Sequence, residues 1–185
     1  MKIKLKDVRL SFPDLFEATQ FQGTGPFNYG ASFLFAPDHP AAKIVDDAIK
    51  AVAAEKWGAK AAATLKTIAN NSQKICYYEG DTKAYEGYEG NMALSAKRSQ
   101  DKGRPLILDT NKQPLTAADG KPYGGCYVDA VIEIWAQDNQ YGKGMRATLN
   151  GVQFRRDGDR FTAGEPATED DFEDLAVNEF ADDLV

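Results

Sequence analysis

Basic and aromatic residues interleave through the second half of the chain in a pattern suited to holding a nucleic-acid strand. Lys97, Arg98, Lys102 and Arg104 fall within eight residues, Lys143 and Arg146 follow a glycine-bearing loop, and Arg155, Arg156 and Arg160 flank an Asp-Gly turn. Among them lie Tyr77, Tyr78, Tyr127, Trp135 and Tyr141. Lysine and arginine neutralise phosphates, and flat rings take up unpaired bases at about 1–3 kcal/mol per stacked base, whatever the base. These thirteen positions, Arg160 excepted, are the candidate contacts. For any single cluster the plainer reading is a solvated face. For Trp135, burial beneath a helix is as good a reading as a base platform.

The last twenty-one residues, 165–185, carry nine acids and no base, which leaves 19 acids against 22 bases in the rest. A mildly cationic body therefore precedes an anionic terminus. A segment so charged cannot bury enough apolar area to fold alone, so 165–185 is expected to be a disordered tail after a body spanning 1–164. Its Phe172 and Phe180, with Asp182 and Asp183, have the chemistry to dock a partner protein. Its acids can also stand in for phosphates in the body's own basic surface. A second reading makes the body a scaffold and the chain an acidic adaptor or DNA mimic that binds a basic protein.

Enzyme signatures are missing: there is no GxxxxGK[ST], GxGxxG, HExxH or GxSxG. The single histidine, His39, and two cysteines fifty positions apart, Cys76 and Cys126, do not make a zinc site. No cofactor is expected. Asp101, Asp109, Asp129 and Glu133 could in principle gather metal ions for nuclease chemistry, a third reading that no spacing rule supports. No run of about 18 apolar residues exists and the first residues lack a signal-peptide core, so a cytoplasmic protein is expected.

The elements that would position these residues are mostly strands. Residues 2–12 alternate with a change of phase near Asp7, which predicts a bulge, and Pro13 is expected to end the strand. A second strand covers 29–36. Asp38 is the expected N-cap of a helix whose Ile44, Val45, Ala48, Ile49 and Val52 recur at helical spacing, and Gly58 separates it from a shorter helix over 59–69. Residues 75–78 are apolar, and short strands follow at 92–98 and 105–109. The clearest alternation is 126–136, with Val128, Ala130, Ile132 and Ile134 on one face and Tyr127, Asp129, Glu133 and Trp135 on the other. Residues 138–144 read as a flexible connector, 145–156 as a strand interrupted at Asn150-Gly151, and 160–162 as a last short strand. Six or seven short strands with one helical insertion, at about 39–70, fit a mainly β, OB-fold-like, partly open Greek-key barrel.

Residues 124–128, 135–139, 141–144, 149–154 and 156–158, with Arg104-Pro105 and Asp109 upstream, resemble a family of tailed-phage single-stranded-DNA-binding proteins once catalogued as a domain of unknown function. The resemblance runs over 2–162. It implies an OB fold, sequence-independent binding of single-stranded DNA in phage replication or recombination, and an acidic tail that docks phage or host replication and recombination proteins.

Overall fold

The computed structural model describes residues 1–162 and 167–176. Seven strands form one sheet: β1 (Lys2–Gln20), β2 (Phe27–Phe35), β3 (Tyr77–Glu79), β4 (Met92–Ser99), β5 (Leu106–Leu108), β6 (Tyr127–Asn139) and β7 (Gly142–Arg156). Their order is β3-β4-β2-β1-β6-β7-β5. Between β2 and β3 lie α1 (Pro40–Trp57) and α2 (Ala61–Ile68), the expected helical insertion.

Strand β1 joins the two halves of the sheet. Its first half pairs antiparallel with β6 and its second half with β2. The change of sides needs bends, and they occur where Asp7 and Phe12 adopt positive φ. The predicted bulge at Asp7 appears as a register shift between Leu5 and Val8. Pro13 does not end the strand. It sits inside a second shift, between Ser11 and Asp14, where no ladder hydrogen bond is asked of its nitrogen.

The sheet curls until β4 meets β7, but they share only one parallel pair, Lys97 with Thr148. Beside that pair the gap is filled by residues 74–76. The Cys76 N–H donates to the Met145 carbonyl at 2.9 Å, Met145 returns a bond to Lys74 at 2.9 Å, and the Ser95 N–H donates to Cys76 at 2.8 Å. The result is the expected partly open barrel, β4-β2-β1-β6-β7, with OB-type connectivity.

The alternation in β6 sets the core. Val128, Ala130, Ile132 and Ile134 point inward with Leu5, Leu94, Met145 and Leu149, all essentially inaccessible. Fully burying such a side chain contributes about 1.5–3 kcal/mol. Val45, Ala48 and Ile49 of α1 join the same core. The α1 N-cap is His39 rather than Asp38: its Nδ1 accepts from the Ala41 N–H at 2.9 Å, and its Nε2 lies 3.1 Å from the Asp7 carbonyl. The ring thus caps the helix and ties it to the first bulge. The free cysteines Cys76 and Cys126 are both buried, and burial pushes their thiols up to about 12 and about 11.

Two loop readings change. Residues 138–144 are not a flexible connector, because the ladder runs through Asp138–Lys143 and Asn139–Gly142 to a two-residue turn at Gln140 and Tyr141. Residues 160–162 form no strand; that segment is held by a single backbone bond, Phe161 N–H to the Gly124 carbonyl at 3.0 Å, and by the Thr162 N–H to Glu86 Oε2 at 3.1 Å. Phe161 packs on a small second core of Leu34, Tyr78, Tyr88 and Ala93 outside the barrel.

Candidate nucleic-acid interface

Where β4 and β7 meet, the outer barrel face carries a groove of about 520 Å³. Alternation builds its banks. On β4, Leu94 and Ala96 face the core, while Ser95, Lys97 and Ser99 face the groove. Opposite stand Trp135 and Gln137 of β6 with Arg146 and Thr148 of β7, and Lys102 overhangs from the loop after β4. Asn28 and Lys97 are shared with a second depression of about 370 Å³ that reaches Phe21 and Tyr29 at the β1–β2 hairpin. The two depressions cross the strands in succession.

Trp135 is not core. It is 43% exposed, and its Nε1–H donates to Thr148 Oγ1 at 3.1 Å, which fixes the ring against the bank. Arg146 is its cross-strand partner, and Arg146 Nε donates to Gln137 Oε1 at 3.0 Å. Arg146 is thus oriented by a neutral amide that leaves its charge uncompensated. At the hairpin tip Tyr141 is 81% exposed, next to the exposed Lys143. Arg104 is exposed, with its guanidinium carbon 5.9 Å from the Phe16 ring centre.

Among the described residues, Lys97, Lys102, Arg104, Lys143 and Arg146 form no ion pair with a carboxylate, whereas Lys121, Arg155 and Arg156 each do. That contrast separates cations able to take a phosphate from cations already engaged. Arg155 donates to Asp129 at 3.0 Å and Arg156 to Asp7 at 3.0 Å. Asp129 also accepts the Asp7 N–H at 2.9 Å. These four residues lock facing bulges in β1 and β7 on either side of β6.

Tyr127 belongs with them. Arg156 lies over its ring at 3.7 Å, and Arg9 lies over Phe161 at 4.2 Å. Tyr127 does face outward on the same side of β6 as Trp135, but eight residues of strand separate them by about 26 Å. The expected single surface therefore divides. Trp135, Lys97, Lys102 and Arg146 line the groove, while Tyr127, Arg155 and Arg156 fasten the far end of the barrel. At that end Gly125, with φ 107°, donates its N–H to the Leu10 carbonyl, and its own carbonyl accepts from Arg9 Nε. A side chain at Gly125 would strike the Asp159 carbonyl that also accepts from Arg9.

Tyr77 and Tyr78 present no ring to a base: both are buried. Tyr77 stacks on Phe35 in the main core, and burial pushes its hydroxyl pKa up. Tyr78 belongs to the second core, and its hydroxyl meets Ser95 Oγ at 3.1 Å. Arg98 is spent on backbone carbonyls rather than left open. The four acids weighed as metal ligands do not assemble. Asp109 pairs with Lys121, Asp129 with Arg155, and no group of three potential ligands forms among the described residues. Likewise, no helix among the described residues is long and apolar enough to cross a membrane.

Phe172 is described and 72% exposed, after a turn capped by Thr168 and Asp171; Phe180, Asp182 and Asp183 lie outside the described residues. Sequence reasoning missed Asn28, Gln137, Ser95 and Thr148, whose polarity in strands carries no signal of a groove. It also missed Phe21 and Phe27, which are exposed at a Gly/Pro-bearing hairpin and were legible there.

A small barrel of this connectivity, with an outward groove crossing its strands between two hairpins, defines the chain as an OB-type protein. It belongs to the family described as Enterobacter phage Enc34 ssDNA-binding protein, which it matches over residues 1–185. Protein p50 of Acyrthosiphon pisum secondary endosymbiont phage 1 is 49% identical over 181 residues, covering 97% of this chain and 96% of its own. The single-stranded DNA-binding protein of bacteriophage Enc34, solved in complex with ssDNA, superposes with a TM-score of 0.70 at 28% identity over 87% of this chain and 89% of its own. The fold extends to gp2.5 of bacteriophage T7, a single-stranded DNA-binding protein, with a TM-score of 0.55 at 14% identity over 94% and 97% of the two chains.

Proposed function

We propose that this chain is a non-catalytic, sequence-independent single-stranded-DNA-binding protein acting in phage replication or recombination in the host cytoplasm. The observation that carries the reading is the groove itself. It places a half-exposed Trp135 among Lys97, Lys102 and Arg146, cations that no carboxylate neutralises among the described residues. Family membership and the Enc34 relative solved with ssDNA support it. A strand would run from Tyr141 and Lys143, past Trp135 and Arg146, over Lys97, to Phe21 and Phe27. Phosphates would meet the lysines and arginines, and bases the rings.

The acidic tail would have two roles in this reading. Its carboxylates would occupy the groove when DNA is scarce. Displaced by DNA, Phe172 and Phe180 with the neighbouring acids would recruit replication or recombination proteins.

Salt dependence tests the groove directly. The slope of log K against log [salt] for oligo-dT falls by about 0.7 for each phosphate neutralised on a single strand. Lys97→Gln and Arg146→Gln should each make the slope less negative by about that amount. Arg155→Gln, which removes a cation already paired with Asp129, should leave it unchanged. Binding of oligo-dT that is indifferent to salt, or a slope that responds to Arg155 and not to Arg146, would reject the groove.

A further inference from the structure

We infer that Arg98 is a positioning residue: it holds Lys102 over the groove and does not itself meet DNA. The inference rests on the DNA-binding reading above. Arg98 leaves β4 one residue after Lys97, the residue that closes the barrel. Its guanidinium reaches three oxygens: Nε donates to the Gly103 carbonyl at 2.8 Å, Nη2 to the Lys102 carbonyl at 3.0 Å, and Nη1 to Asn150 Oδ1 at 3.3 Å.

Two of these oxygens belong to the loop that bears Lys102. The third belongs to the extra residue of β7, where Val131 faces Gly151 and Ile132 faces Leu149, so that Asn150 has no partner on β6. The loop makes a 3-10 turn over Gln100–Lys102 and leaves it through Gly103 at φ 80°. Its closing backbone bond is Gly103 N–H to Gln100 O at 3.0 Å. One planar fork thus fastens a short exposed loop to both strands at the barrel seam. A lysine has the charge but not the fixed spread of donors this requires.

The fork predicts an unusual pair of substitutions. Arg98→Lys preserves net charge, yet should weaken oligo-dT binding about three- to tenfold and reduce the salt slope by about 0.7, as Lys102→Gln does, because in both the ammonium of Lys102 no longer meets its phosphate. The double variant should be no weaker than the poorer single variant by more than about twofold, since both changes remove one contact. Losses that multiply in the double variant would make Arg98 an independent phosphate contact and overturn the inference. So would an Arg98→Lys protein with wild-type affinity and slope.

A readout without DNA separates this inference from the function it rests on. A spin label on Lys102→Cys reports loop mobility, and the native cysteines are both buried. Adding Arg98→Lys should sharpen the label's spectrum toward fast motion, and an unchanged spectrum would sink the clamp even if DNA binding stands. Should wild type fail to bind oligo-dT while the spectrum still sharpens, the DNA-binding reading fails and the clamp survives. If Arg98→Lys melts early, Asn150→Ala, which removes one anchor and leaves Arg98 in place, should mobilise the same label, and no change there would also refute the clamp.

Discussion

Trp135→Ala lowers affinity for oligo-dT by about 10- to 100-fold, the worth of one stacked base, while leaving the salt slope as it was. Trp135 carries no charge, so phosphates are released or retained independently of it. Its ring is half out of the protein, so the substitution should cost little stability. Trp135→Phe keeps a flat ring but loses the bond to Thr148, and it should fall between the two. Fluorescence anisotropy of a labelled oligonucleotide measures all three proteins on the same scale. A Trp135→Ala protein within twofold of wild type would mean that the groove binds by charge alone. In the wild-type protein DNA should quench Trp135 and spare Trp57, whose indole is tied to Asp138 at 3.0 Å on the helical side of the hairpin.

Removal of 165–185 should tighten oligo-dT binding by about tenfold at low salt, and the gain should shrink as salt rises, because it comes from screened charge. The deletion takes nine acids from a chain of net charge −6 and leaves a cationic body. Titrating full-length and truncated proteins at several salt concentrations checks both parts of the expectation. Unchanged or weaker binding by the truncation would remove the tail as a competitor and leave it only a docking role. A gain that persists at high salt would point instead to its aromatic residues.

Much of the architecture is legible in the residues because alternation and burial go together. Val128, Ala130, Ile132 and Ile134 announce both β6 and the face that meets the core. The change of phase at Asp7 announces the first bulge. What misleads is information that one dimension does not hold. Pro13 reads as a stop, yet a second bulge relieves it of the hydrogen bond it cannot make. Parity puts Tyr127 and Trp135 on one face, but eight residues of strand hold them about 26 Å apart, too far to share one short groove. Composition counts Arg155 and Arg156 with Arg146, although only pairing in space shows that Asp129 and Asp7 have claimed the first two. Tyr77 and Tyr78 do carry a local signal of burial. They continue the apolar run Ile75-Cys76, and an unbroken run of this kind indicates a strand buried on both faces.

The lone pairing of Lys97 with Thr148 means that the barrel's weakest join is also the floor on which a ligand would lie. Anything stretched from Trp135 across to Lys97 bridges that join from outside, like a stitch over a seam. Residues 74–76 are its other backbone fastening, so a strand lying there would reinforce the closure of the surface that holds it.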